Sequence, residues 1–117
     1  MSVAELCAAA MIVSDNTAAN LLLASFGGPA ALTSFWPAIG DRATRLDRTE
    51  PELNEGTPGD PRDTTTPVAM VGNLRKFVLG DVIAPASREM FSKWFGGKHH
   101  WRRTFASWFY PGWDHRR

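Results

Sequence analysis

Glu50 is the residue of this sequence whose surroundings best suit a base. It stands directly before a proline, in Glu50-Pro51-Glu52-Leu53-Asn54. The proline ring disfavours α geometry at the preceding residue, so Glu50 is expected to be held extended, with one carboxylate aimed inward. A carboxylate held in this way is a candidate general base. Ser14-Asp15-Asn16 sets a hydroxyl, a carboxylate and an amide side by side. Read alone, that tripeptide is also an ordinary helix cap. Glu52 and Glu55 read as solvated charges of an acidic loop. Arg48 and Asp63 stand fifteen positions apart, where an isolated pair is more often two separate surface charges. Other chemistries are poorly supplied. The single cysteine, Cys7, excludes an internal disulfide and a Cys-rich metal site. His99, His100 and His115 do not make a zinc site, because adjacent histidines rarely ligate together and no fourth ligand is spaced for it. No metal and no cofactor are expected.

These side chains need elements to carry them, and the pattern supplies helices. Val3 to Val13 is apolar and rich in alanine, a strong helix former. It stops at Ser14-Asp15-Asn16, residue types that favour caps and turns. A second helix is expected from about Thr17 to Ser25, capped by Asn16 or Asp15 and ended by Gly27-Gly28. Pro29 suits the first position of a third, running through Ile39. Arg42 to Thr66 holds Pro51, Pro58, Pro61, Gly56 and Gly59 with little periodicity. It reads as a long loop with one helical turn at Pro51–Asn54, and loops of that length in a compact domain are usually functional or disordered. Pro67 opens a helix with apolar Val68, Val71, Leu74, Phe77 and Val78, and Arg75 and Lys76 near its end suit the dipole. Pro85 to Trp94 reads as a last helix burying Met90, Phe91 and Trp94. No convincing strand occurs in residues 1–93, so the fold class is mainly α.

Composition narrows the function further. The chain has 117 residues, 44% of them hydrophobic, enough to argue against a wholly disordered chain. No run of about 18 apolar residues occurs, so no membrane span is expected. Met1-Ser2-Val3-Ala4-Glu5 lacks a basic stretch followed by an apolar one, so no signal peptide is expected. The overall charge of +1 argues against a strongly basic nucleic-acid binder. That balance hides a split. Residues 1–93 carry eight basic and eleven acidic residues, whereas 94–117 carry five basic and one acidic. The second stretch also holds all three histidines and four of the five tryptophans, Trp94, Trp101, Trp108 and Trp113.

Ser14-Asp15-Asn16-Thr17-Ala18-Ala19-Asn20-Leu21-Leu22-Leu23 followed by Glu50-Pro51-Glu52-Leu53-Asn54-Glu55 resembles the class A serine β-lactamases. Ala4-Glu5-Leu6-Cys7, Gly27-Gly28-Pro29, Thr44-Arg45-Leu46-Asp47-Arg48 and Gly59-Asp60-Pro61-Arg62-Asp63-Thr64-Thr65-Thr66-Pro67 extend the likeness over most of residues 1–94. The resemblance implies part of the helical lobe of the α+β β-lactamase and penicillin-binding-protein-like fold, with its sheet missing. It implies hydrolysis of the β-lactam amide of penicillins and cephalosporins through a serine acyl-enzyme, hence antibiotic resistance. Glu50 then matches the general base that activates the deacylating water, and Asn54 the amide that positions that water. Ser14 matches the hydroxyl that passes a proton to the departing ring nitrogen. Asn16 matches the amide that contacts the substrate, and Asp15 a buried structural group. Arg48 and Asp63 match the ion pair at the neck of an Ω loop over residues 45–63, and the segment these two residues bracket fits the size range of such loops, about 6–16 residues. Cys7 matches a position that is disulfide-bonded in part of the family, and is expected here to be a free, buried thiol. A monomer in the periplasm or secreted, with a β-lactam as its partner and neither nucleic acid nor membrane, follows from the same resemblance.

Two family motifs do not occur. None of the serines at 2, 14, 25, 34, 87, 92 and 107 has Lys three residues later, and no Lys-Thr-Gly is present. Helices that in the family pack on a sheet and a central helix would expose those faces here, so a marginal fold or a molten state is expected, and without the nucleophile no acyl-enzyme chemistry. After Trp94 the likeness stops. Residues 95–109 can be encoded so that deletion of one T yields Leu-Val-Glu-Asn-Thr-Thr-Gly-Gly-Ala-Leu-Leu-Arg-Ala-Gly-Phe, which looks like the family's continuation. Residues 95–117 thus read as a frameshifted tail outside the family pattern. The competing reading is a small helical interaction protein whose basic-aromatic tail binds nucleic acid or a membrane surface.

Overall fold

A computed structural model describes residues 1–96. Five helices run in order: α1 Val3–Val13, α2 Asn16–Ser25, α3 Pro29–Ala38, α4 Pro67–Leu79 and α5 Pro85–Gly96. Between α3 and α4 lies the long loop, with one 3₁₀ turn at Glu52–Asn54. No strand occurs among the described residues; one isolated antiparallel bridge joins Arg45 to Thr64. The part of the tail beyond Gly96, with its histidines and with Trp101, Trp108 and Trp113, lies outside the described residues.

The helix ends follow from local chemistry. Ser2 and Glu5 form a capping box, Ser2 N–H donating to Glu5 Oε2 at 2.6 Å and Glu5 N–H to Ser2 Oγ at 3.2 Å. Asp15 caps α2 by accepting from Ala18 N–H at 2.8 Å. Asp15 is exposed rather than buried, so its structural role is that of a surface cap. Past α2, Gly27 takes φ +113°, where a Cβ would also crowd Ala31 Cβ at 3.1 Å. Pro29 and Pro67 sit in the first turns of α3 and α4, and Thr66 caps α4 by accepting from Ala69 N–H at 3.1 Å.

α1 packs against α2 and α5, and α4 against α5. A run of rings links α3, α4 and α5: Phe77 stacks on Phe35 at 6.5 Å between centroids and meets Phe91 edge-on at 5.7 Å, and Phe91 stacks on Phe95 at 5.9 Å. Among the described residues the buried apolar side chains are nonetheless only Ala18 and Leu23. Val68 and Val71 are 85% and 65% exposed, and Met90 is 40% exposed, so these expected core positions are open, while Leu74, Phe77 and Val78 are half-buried. Phe91, Trp94 and the free thiol of Cys7 are half-buried. An amphipathic helix buries its stripe only where another element covers it, and none among the described residues covers Val68, Val71 and Met90.

The most buried residue among those described is polar. Asn73 of α4, 1% exposed, donates to Asp41 Oδ2 at 2.7 Å. Asp41 Oδ1 accepts from Ala43 N–H at 2.8 Å and Thr44 N–H at 3.0 Å. The Thr44 side chain first, then the Asn73 amide and these two N–H groups, hold the Asp41 carboxyl far below the usual carboxylate range against the opposing effect of burial. This knot fastens the start of the long loop to α4.

Candidate functional site

The site is built on α2. Ser14 ends α1 in a left-handed conformation, φ 56° and ψ 43°, its N–H donating to Ala9 O. That turn lets α2 begin two residues later. Ser14 and Asn16 are exposed, Asn16 being the first residue of α2. One turn on, at the i+4 position of the same face, stands Asn20. Its amide brackets the backbone of Glu50: Asn20 Nδ2 donates to Glu50 O at 2.9 Å, and Glu50 N–H donates to Asn20 Oδ1 at 2.9 Å. Residue 50 is thereby docked on the helix face that Asn16 opens. Ser14 and Asn16 themselves make no hydrogen bond to Glu50 among the described residues; the bonds that dock residue 50 on α2 come from Asn20.

The side chain of Glu50 is fixed as well. Asn54 Nδ2 donates to Glu50 Oε2 at 2.5 Å and to Pro51 O at 3.2 Å. The 3₁₀ turn places Asn54 there, four residues after Glu50. The Glu50–Pro51 peptide is cis. Glu50 is half-buried and Asn54 exposed, so the carboxylate lies at a surface rather than in a core.

The loop is fastened at its neck. Arg48 Nε donates to Asp63 Oδ2 at 2.6 Å, and Asp63 Oδ1 accepts from Asp47 N–H at 2.7 Å and Arg48 N–H at 2.9 Å. Asp63 returns the contact, its N–H donating to Asp47 Oδ2 at 3.0 Å. The Asp63 side chain is only 2% exposed. Burial by itself would raise its carboxyl pKa; the N–H groups of Arg48 and Asp47 and the Arg48 guanidinium outweigh it, and the net shift is downward. Arg48 also pairs with Glu55, which is thus more than a solvated charge. Glu52 is exposed. Arg45 holds Asp47 with two N–H groups, at 2.9 and 2.6 Å. Arg62 holds Asp60 and draws its carboxyl down to about 2.

Chemically, the arrangement presents a carboxylate whose position is set from two sides. Asn54 occupies one oxygen with a donor, leaving the other oxygen able to accept a proton. No group of three His, Cys, Asp or Glu among the described residues is arranged to hold a metal. Sequence reasoning missed Asn20 and the second partner of Arg48. A signal for Asn20 exists: it is an amide set between Ala18-Ala19 and Leu21-Leu22-Leu23 in the helix interior, where its propensity is poor.

A model of the β-lactamase enzyme family matches residues 1–113. The chain belongs to that family. It is similar to PenP of Rhodopseudomonas palustris, a chain assigned to the class A β-lactamases, with 60% identity and a TM-score of 0.82 over 84% of this chain and 38% of that one. It is also similar to an ancestral class A β-lactamase, with 66% identity and a TM-score of 0.79 over 80% of this chain and 36% of that one. A mutant of the class A β-lactamase of the last common ancestor of Gram-negative bacteria gives 63% identity and a TM-score of 0.82, over 84% of this chain and 37% of that one. The chain thus spans little more than a third of the length of these β-lactamases. Its five helices match a helical part of the class A fold, and the reading as an unrelated helical interaction protein is not favoured.

Proposed function

We propose that this chain carries the deacylation apparatus of a class A serine β-lactamase, an enzyme that opens the β-lactam amide of penicillins and cephalosporins through an acyl-serine ester. The observation that supports this most is the double fixing of Glu50, by Asn20 on its backbone and by Asn54 on its carboxylate. In this reading Glu50 takes a proton from a water. The water oxygen bonds to the ester carbon, the bond to the serine oxygen breaks, and the proton held by Glu50 passes to that oxygen, releasing the opened product and the free serine. Asn54 Nδ2 is engaged with Glu50 and Pro51, so its Oδ1 is the atom that accepts from that water. Asn16 contacts the substrate, and Ser14 relays a proton to the departing ring nitrogen. Arg48 and Asp63 hold the loop shut beneath them. The substrate of a monomeric, periplasmic or secreted enzyme fits the same reading. Residues 95–117 belong to it as a tail left by a one-base slip; a gene whose neighbouring frame yields no lactamase-like string refutes that point.

Purified as it stands, the chain should not hydrolyse nitrocefin above buffer, since Ser-x-x-Lys and Lys-Thr-Gly are absent from its sequence. Turnover above buffer would refute that. The role of Glu50 is tested by exchanging residues 1–96 for the matching segment of an ancestral class A enzyme. The chimera should hydrolyse nitrocefin. Its Glu50→Gln form should acylate but release product roughly 10²–10⁴-fold more slowly, with the acyl-enzyme visible by mass spectrometry. Equal turnover by both would overturn the assignment.

A further inference from the structure

The limb of the loop that enters the neck is gripped twice from the α2–α3 pair. Asn20 of α2 brackets Glu50, as described. Thr33 of α3 does the same four residues earlier: its Oγ1 donates to Leu46 O at 2.7 Å and accepts from Leu46 N–H at 2.9 Å. Thr33 spends its hydroxyl on the loop rather than on its own helix. The next residue, Ser34, shows the alternative, donating back to Ala30 O at 3.0 Å. Branching at Cβ restricts the Thr33 rotamer and so fixes where its oxygen stands.

At the start of this limb two successive residues use opposite edges, before Asp47 and Arg48 both turn to Asp63. Arg45 N–H donates to Thr64 O at 2.9 Å on the returning limb, and Leu46 turns to α3. In extended chain such alternation has a period of two, so a slip of one residue exchanges the sides. It would offer Arg45 or Asp47 to Thr33, draw the N–H groups of Asp47 and Arg48 off Asp63, and carry residue 50 off Asn20.

We propose that Thr33 is a positioning residue for Glu50, setting the register of residues 45–50 so that Glu50 and no neighbour lands on Asn20. The functional meaning of this rests on Glu50 being the base proposed above, but the test does not need turnover. Backbone amide exchange is followed by NMR on the full chain and on two variants. Thr33→Val keeps the branched shape and removes both hydrogen bonds; Thr33→Ser keeps the hydroxyl. Thr33→Val should speed exchange at both Leu46 and Glu50 by roughly tenfold or more, leaving the α2 interior unchanged. Thr33→Ser should restore most of the protection at Glu50. Faster exchange at Leu46 alone, failure of Thr33→Ser to rescue, or an unprotected Glu50 amide in the parent chain would overturn the proposal. So would loss of helical circular dichroism in Thr33→Val, because a register device leaves the helices standing. A chimera that deacylates without Glu50 would remove the catalytic reading and leave this exchange result as it was.

Discussion

The loop at residues 45–63 and the α4–α5 face are stabilised in opposite ways. The loop has almost no regular structure, yet Leu46, Asp47, Arg48, Glu50 and Asp63 are each hydrogen-bonded within it or by one side chain from α2 or α3. The α4–α5 face is regular helix, yet Val68, Val71 and Leu79 stand open to solvent. Directional bonds between specific groups can close a short segment locally. An apolar stripe has no such local solution, because burial requires a second surface. The part of the chain that looks least structured is therefore the better specified.

The comparison breaks most sharply at Phe77, the one ring among the described residues that meets rings of both α3 and α5. Phe77→Ala should cost about 3 kcal/mol, the low end for such a truncation because the ring is half-buried. A thermal melt followed by circular dichroism should show the helices weakened as a set. If the helices melt unchanged, the ring contacts do not hold this face together. Asn20→Ala should be smaller and confined to the loop, about 1–3 kcal/mol of local opening for two lost backbone partners. Amide exchange at Glu50 should quicken while that in α4 does not; a change spread over all five helices would show that the loop is not an independent unit.

Acid sharpens the contrast further. Asp41, Asp47, Asp60 and Asp63 all have carboxyls lowered below their ordinary values, Asp60 to about 2. A depressed folded pKa contributes stability that is fully present above the unfolded value near 3.9 and is lost as pH falls through the folded one. Loop amides should therefore stay protected at neutral pH and down to about 4, then lose protection between about 4 and 2. A loop that opens between pH 7 and 5 would contradict this. The smallest effect belongs to the open helix face. Val68→Glu should change stability by no more than about 0.5 kcal/mol, since that side chain is 85% exposed. A large loss there would mean that the face is covered in solution.

Much of the fold is legible in the residues. Pro29 and Pro67 open helices, Gly27 closes one, and Thr66 and Asp15 accept from N–H groups three residues on. Each is a rule about neighbours in sequence, which is why these boundaries fall within a residue or two of the expected ones. The apolar pattern of α4 and α5 correctly announced helices but not their burial, because periodicity identifies a face without saying whether anything meets it. The exposure of Asp15 was missed for a related reason: a capping side chain does its work equally well at a surface.

What the sequence determined alone is the set of helices, the loop between them and the kinds of chemistry its side chains could offer. Only the tertiary structure decided that Asn20 and Thr33 grip Glu50 and Leu46, that Asn73 answers Asp41, and that Arg48 serves Glu55 as well as Asp63. Those pairs join residues as many as 32 positions apart. Each needs a particular atom within about 3 Å of another, and that distance is fixed by how the elements pack, which no local pattern encodes.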